Sequence, residues 1–251
     1  MTLEIDPNGP NNMERGGVVH RDYAKYRCQI AKVVGIENAL TGETAEMAIS
    51  GHDERFCYKV GEMVEEPEYN AVIGIACGKG IHFYLTEETA KFHALGLMNF
   101  GGYTGEFKSW YDNGLRRVRG WLKDGKWNGE YEEWHDNGKR WCHGWYKDGE
   151  MDGEWESWHE NGQRLERVWF KDGEEDGECE EWHVNGKRSA HGWYKDGKAV
   201  GEWEEWHENG QRRRRGWYKD GKKDGKWEEC DEDGQCHKSE WKNGKRCRAL
   251  G

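Results

Sequence analysis

A mainly β protein, an elongated antiparallel β-meander of repeated hairpins preceded by a small α+β domain, is predicted by three observations. Glycine recurs at Gly105, Gly129, Gly153, Gly177, Gly201 and Gly225, a constant period of 24 residues, and six copies at fixed period mark a repeat array. An Asn-Gly step recurs at 113, 137, 161, 185 and 209, between alternating runs. All 16 tryptophans lie after residue 100 and all three prolines before it, so the array is also a block of distinct composition.

Asn-Gly between alternating runs predicts a two-residue type I′ turn, since both turn positions need positive φ. The second punctuation, Asp220-Gly221 to Asp224-Gly225, recurs at Asp148-Gly149 to Gly153 and at Asp196-Gly197 to Gly201. It reads as a glycine-bracketed loop that returns the chain to the next hairpin. Twelve short strands follow. With Asn161-Gly162 as the turn, Glu160 pairs with Gln163, Trp158 with Leu165, Glu156 with Arg167 and Trp155 with Val168. The same register sets Glu204 against Arg215 and Glu205 against Arg214.

Alternation puts Trp158 and Trp169 on one face, and Trp155 and Phe170 on the other. Aliphatic residues are too few for a thick core, so columns of stacked aromatics are expected to hold the sheet. These columns are Trp110, Trp134, Trp158, Trp182, Trp206 and Trp121, Trp145, Trp169, Trp193, Trp217. Twelve strands about 4.8 Å apart would span on the order of 55 Å.

Glu240-Trp241-Lys242-Asn243-Gly244-Lys245 and Gly221 to Gly225 resemble the MORN repeat pattern of aromatic, Lys, Asn-Gly-Lys and a second Gly. The 24-residue unit with its EWHENGQ strand is similar to a MORN-like variant of bacterial proteins described as antitoxins. The resemblance covers about residues 101 to 245. It departs from the pattern at Trp155, Trp203 and Trp227, where a second glycine is usual. It implies a hairpin array that binds a protein partner, with acidic lipid or a toxin as alternative partners.

Residues 1–20, with Pro7, Pro10 and several Asn and Gly, read as a flexible leader, residues 21–100 as the α+β domain and 101–251 as the array. Tyr26 to Ile36, Phe56 to Val60 and Ile81 to Leu85 have strand character, with turn signals at Thr41-Gly42 and Ser50-Gly51. Thr86 can cap a helix from Glu87 to about Leu95. Asn99-Phe100-Gly101-Gly102 is the expected joint. Three phrases, Tyr58 to Glu62, Cys77 to Phe83 and Leu85 to Glu88, resemble an N-terminal domain found beside repeat arrays in giant-virus proteins. That resemblance implies a viral source, with host cytoplasm or virion as location.

The chain is 35% charged, with a formal charge of −11. Residues 1–100 hold 9 basic against 15 acidic groups and the rest 29 against 34, so both parts are acidic. Sequence-independent nucleic-acid binding needs a basic excess and is disfavoured. No run approaches the roughly 18 apolar residues of a membrane span. Eight irregularly spaced cysteines fit reduced thiols in a cytoplasmic protein.

Candidate binding residues are Trp134, Trp158, Trp182, Trp206, His159, His207 and the basic run Arg212, Arg213, Arg214, Arg215. The column His135, His159, His183, His207 places equivalent rings roughly 10 Å apart, too far to share an ion. Packing beside Arg140, Arg164, Arg188 and Arg212 is the simpler role. Cys230, Cys236, His237 and Cys247 offer a zinc-like donor set without knuckle spacing. His82 with Tyr84, Glu87 and Glu88 is the most enzyme-like group, with Gly78-Lys79-Gly80 nearby, but matches no phosphate-loop or dinucleotide spacing. No catalytic residue and no cofactor are assigned; an unpaired array edge leaves self-association open.

Overall fold

The computed structural model describes residues 1–5, 9–14, 18–38, 41–49, 57–66, 69, 81–97, 100 and 102–250. The chain divides into two compact units, Met1–Val118 and Arg119–Gly251.

In the first unit Thr2–Glu4, Ile30–Gly35 and Met63–Glu65 form a three-stranded sheet with Ile30–Gly35 central. Two ladders join Lys25–Cys28 to Ile81–Tyr84 and Met47–Ile49 to Cys57–Lys59. Tyr26, Cys28, Ala31, Val33, Val64, Ile81 and Phe83 form the core, so the run Tyr26 to Ile36 is two strands serving two sheets. Within residues 1–20, expected as a flexible leader, Thr2–Glu4 forms an edge strand, and Asn12 is buried with its Oδ1 accepting from the Arg27 amide at 2.7 Å. Ser50-Gly51, Phe56 and Gly78-Lys79-Gly80 lie outside the described residues.

The helix Glu87–Leu97 begins as expected at Thr86, whose Oγ1 accepts from the Thr89 amide at 3.4 Å. Phe92 on this helix meets Phe107 edge-on at 5.5 Å, and Tyr23 stacks on Trp110 at 5.0 Å. Lys108 pairs with Glu88 at 3.2 Å. The strand Gly105–Trp110 therefore packs with the N-terminal residues, and the compact unit ends at Val118, beyond the joint expected near Gly101.

From Gly105 on, the sheet holds fourteen strands among the described residues, thirteen of them in one sequential antiparallel order. Lys245–Leu250 adds a thirteenth to the expected twelve, and Glu150–Met151 pairs beside the order as a fragment split from Gly153–Trp158. The two turn types are the reverse of the expectation. The type I′ geometry belongs to the Asp-Gly steps from Asp124 to Asp220 and to Asn243-Gly244: Asp148 and Gly149 have φ of 52° and 94°, Asp196 and Gly197 of 47° and 68°, Asn243 and Gly244 of 51° and 78°. At the Asn-Gly steps of 113, 137, 161, 185 and 209 only the glycine has positive φ, and the loop holds three residues: the Gly162 amide donates to His159 O and the His159 amide to Gln163 O, both at 2.8 Å. A type I turn closed by a left-handed glycine has this pattern.

Because that loop adds a residue, the ladder shifts next to it, and Trp158 pairs with Arg164 instead of Leu165. Farther in, Trp155 faces Val168, Glu156 faces Arg167, Glu204 faces Arg215 and Glu205 faces Arg214, as the register predicted. The segment after each Asp-Gly step is strand rather than loop. The glycine that opens each copy sits inside it at a bulge, where Trp169 alone opposes Asp176, Gly177 and Glu178.

One face carries the core of the second unit. Trp155, Val168, Cys179, Ala190, Trp203 and Trp227 are buried there, with Tyr146, Phe170, Tyr194 and Tyr218 against them. The rings meet edge to face, Tyr146 with Trp155 at 5.0 Å and Tyr218 with Trp227 at 5.0 Å. Each indole lies flat on a glycine of the preceding strand. A Cβ on Gly144 would stand 2.3 Å from Trp155, on Gly192 1.8 Å from Trp203, and on Gly216 2.2 Å from Trp227. Where Val168 replaces this glycine, Cys179 replaces the tryptophan, so the cross-strand volume is kept.

Candidate functional site

The opposite face of the second unit carries the site candidates. Adjacent copies are fastened at their tips by side chains. His135, His159, His183 and His207 each donate from Nε2 to a carbonyl one copy on, at Trp158, Trp182, Trp206 and Cys230, over 2.8–3.0 Å. The acceptor is a carbonyl, so the proton is on Nε2. Asn137, Asn161 and Asn185 donate from Nδ2 to Glu160, Val184 and Glu208 carbonyls within 3.0 Å, while each Oδ1 closes its own turn. The recurring His-x-Asn-Gly phrase is thus a staple between hairpins. His159 and His207, expected as binding groups, are engaged in it.

Trp158, Trp182 and Trp206 are half-buried. The guanidinium of the copy before covers each ring: Arg140 over Trp158 at 5.6 Å, Arg164 over Trp182 at 5.2 Å and Arg188 over Trp206 at 5.9 Å. The same arginines are fixed from the other side, Arg140 by Glu132 and Arg164 by Glu156, both at 2.7 Å, and Arg188 by Glu180. This column is closed by its own neighbours. Trp134 at its start is likewise half-buried.

The basic run is divided by the ladder shift between Glu205 and Trp206, which leaves Arg213 out of the pairing. Arg214 turns to the core face and bonds Glu205, whereas Arg212 and Arg215 face outward and pair with Glu204 and Glu202. Arg213 reaches Glu205 at 3.7 Å. All four charges have a carboxylate partner, so the run is no free anion grip.

Apart from Trp141 and Val184, the large apolar side chains left open in this unit form the other column. Trp121, Trp145, Trp169, Trp193 and Trp217 recur on the outward face and range from 41% exposed at Trp169 to 55% at Trp217. Equivalent strands two apart place successive rings roughly 10 Å from one another. Fixed pairs border the row, His143 with Glu130 at 3.2 Å, Arg167 with Glu178 at 3.0 Å and His191 with Glu178 at 3.1 Å. Sequence reasoning found this column but could not tell it from the Trp158 column; the arginine eighteen residues before each tryptophan of the latter, Arg140 before Trp158, was the available signal.

The zinc-like set does not assemble. Cys230 and Cys236 face each other across the hairpin of Lys222–Cys230 and Cys236–Lys242 and are disulfide-bonded, which also corrects the expectation of reduced thiols at these positions. His237 and Cys247 are exposed. Burial raises the Cys142 thiol to about 12 and the Cys28 thiol to about 11, so neither is a ready nucleophile. In the N-terminal unit His82 is exposed and Glu88 is taken by Lys108. Among the described residues no helix is long and apolar enough to cross a membrane.

Comparison with known proteins agrees with this geometry. Residues 151–172 and 199–220 match the MORN repeat variant, and residues 9–90 match a family of unknown function, DUF5758. MORN repeats are commonly protein- or lipid-interaction modules and generally non-catalytic. No curated protein matches the chain.

Proposed function

We propose that this chain is a non-enzymatic interaction scaffold whose repeat sheet binds a protein partner through its outward tryptophan face. The observation that carries the reading is the row Trp121, Trp145, Trp169, Trp193 and Trp217, about half exposed at every step. Tryptophan is enriched among residues that dominate interface energies, and a contiguous exposed apolar row marks a partner site. Staples and ion pairs hold the surrounding surface in place, so little ordering entropy is lost on binding. An anionic lipid surface is favoured less, because Arg212 to Arg215 are each paired and the chain carries a formal charge of −11. The antitoxin-like role is the special case of a small toxin partner, and growth rescue on co-expression distinguishes it.

The test compares the full chain with a Trp169→Ala, Trp193→Ala, Trp217→Ala variant in affinity capture from the native cell. Loss of one specific protein by a variant of unchanged circular dichroism supports the reading. Equal capture by the variant refutes it. Flotation of the full chain with phosphatidylserine vesicles, lost on the same substitutions, would replace the protein partner by lipid.

A further inference from the structure

On the core face the ladder between Arg164–Lys171 and Glu174–Trp182 sets Glu166 directly opposite Glu181, beside Cys179 and its partner Val168. Like charges directly opposite across strands are destabilising. Oxygens of both carboxylates and the Cys179 Sγ all lie within 4.8 Å of one another. The charge of Glu175 raises both glutamates further, and among the described residues no ion pair reaches Glu166, Glu175 or Glu181. Cys179 is 1% exposed, and among the described residues its thiol makes no hydrogen bond.

The same four positions two copies later show what this patch lacks. Forty-eight residues on, Glu166, Glu175, Cys179 and Glu181 become Arg214, Lys223, Trp227 and Glu229. There Lys223 bonds Glu229 at 2.5 Å and lies over the Trp227 ring at 4.3 Å, while Arg214 bonds Glu205. The fold thus places two cations at Arg214 and Lys223 where this one copy has Glu166 and Glu175, and an indole where it has the Cys179 thiol. Positive charge that the chain supplies itself at Arg214 and Lys223 is missing at Glu166 and Glu175, on the same backbone and beside the same inward glutamate.

We propose that Glu166, Cys179 and Glu181 bind one divalent cation of the zinc class. Two carboxylates and one thiolate are three protein ligands of mixed hard and soft character, which suits Zn²⁺ or Co²⁺ better than Ca²⁺ or Mg²⁺. Rotation of the glutamate side chains brings the donors to the roughly 3.5 Å separations of a tetrahedral site, with water in the fourth position. On binding, the Cys179 S–H proton leaves to solvent as the S–metal bond forms. Glu175 stays outside the ligand set and adds negative charge beside it. The cation restores the balance that Arg214 and Lys223 provide farther along, and it joins strands Arg164–Lys171 and Glu174–Trp182.

The full chain is titrated with Zn²⁺ by calorimetry and with Co²⁺ by absorption, without reductant so that the Cys230–Cys236 bond stays closed. One equivalent is expected, with a thiolate-to-cobalt charge-transfer band. Cys179→Ser should abolish the band, and Glu166→Gln or Glu181→Gln should weaken binding at least tenfold. Cys142→Ser and Cys247→Ser should leave both unchanged. Absence of saturable uptake by the wild-type chain overturns the proposal, as does a band that survives Cys179→Ser. Circular dichroism of Glu181→Gln, which removes one of the opposed charges, confirms that loss of uptake is not loss of fold.

Discussion

Gly192→Val tests the packing rule of the core face. Gly192 has no positive φ, so the substitution carries no backbone penalty of its own. The new Cβ would stand 1.8 Å from Trp203 Cε3, where 3.4 Å or more is ordinary contact. Trp203 is 6% exposed and packed against Tyr194 at 5.4 Å and Tyr218 at 6.0 Å, so the indole cannot move aside freely. Overpacking of this kind costs about 1–3 kcal/mol, and the upper end is expected because the clash is with a fixed ring. Trp203→Cys alone removes a large buried side chain and costs about 3–5 kcal/mol. The double variant recreates the Val168–Cys179 pair found two strands earlier. Its cost should fall short of the sum of the singles by about 1–3 kcal/mol. Repeat arrays need not unfold in one step, so amide exchange in strands Arg188–Lys195 and Lys198–Trp206 is the proper assay. A neutral Gly192→Val, or strictly additive singles, would refute the volume-exchange argument.

Three further outcomes are expected. His183→Ala removes the bond from Nε2 to the Trp206 carbonyl, 2.8 Å in the native chain, and should cost about 1 kcal/mol, read as faster exchange at the neighbouring tip. Unchanged exchange there would show the staple to be idle. Replacing Cys230 and Cys236 by serine opens a six-residue separation and should cost about 2 kcal/mol in the hairpin of Lys222–Cys230 and Cys236–Lys242; an unaltered thermal midpoint would contradict this. The hydrogen bond from Lys223, with the Lys223, Arg214 and Arg246 charges, holds Glu229 below the usual carboxylate range against an opposing burial effect. Its folded value is depressed, so the stabilisation is complete above the ordinary range and is lost as pH falls through the folded value. The wild-type midpoint should therefore drop more steeply in acid than that of Lys223→Met, and parallel curves would deny the pair a role.

Period, strand pairing and the helix start at Thr86 were legible in the sequence, because each depends on contacts between near neighbours. Trp155 opposite Val168 and Glu205 opposite Arg214 follow once a turn is centred near Asn-Gly. The turn types were not legible. Asp-Gly and Asn-Gly both satisfy the φ rule, and only the structure shows that the asparagine side chains reach the next hairpin, as Asn161 does to Val184.

Which tryptophans are core was likewise decided by the tertiary structure. Alternation places tryptophan on both faces and cannot rank them. The inward face is the one where glycine alternates with an aromatic across the strands, so that Trp155, Trp203 and Trp227 lie against bare backbone at Gly144, Gly192 and Gly216. On the outward face arginine covers one column and leaves Trp145, Trp169, Trp193 and Trp217 open. The Glu166–Cys179–Glu181 group joins residues of two adjacent strands through a ladder with a bulge. The sequence by itself determined that there is a repeated hairpin sheet and how its strands pair; side-chain volume and charge between copies decided which face closes and which stays open, because those depend on neighbours that meet only when the copies stack.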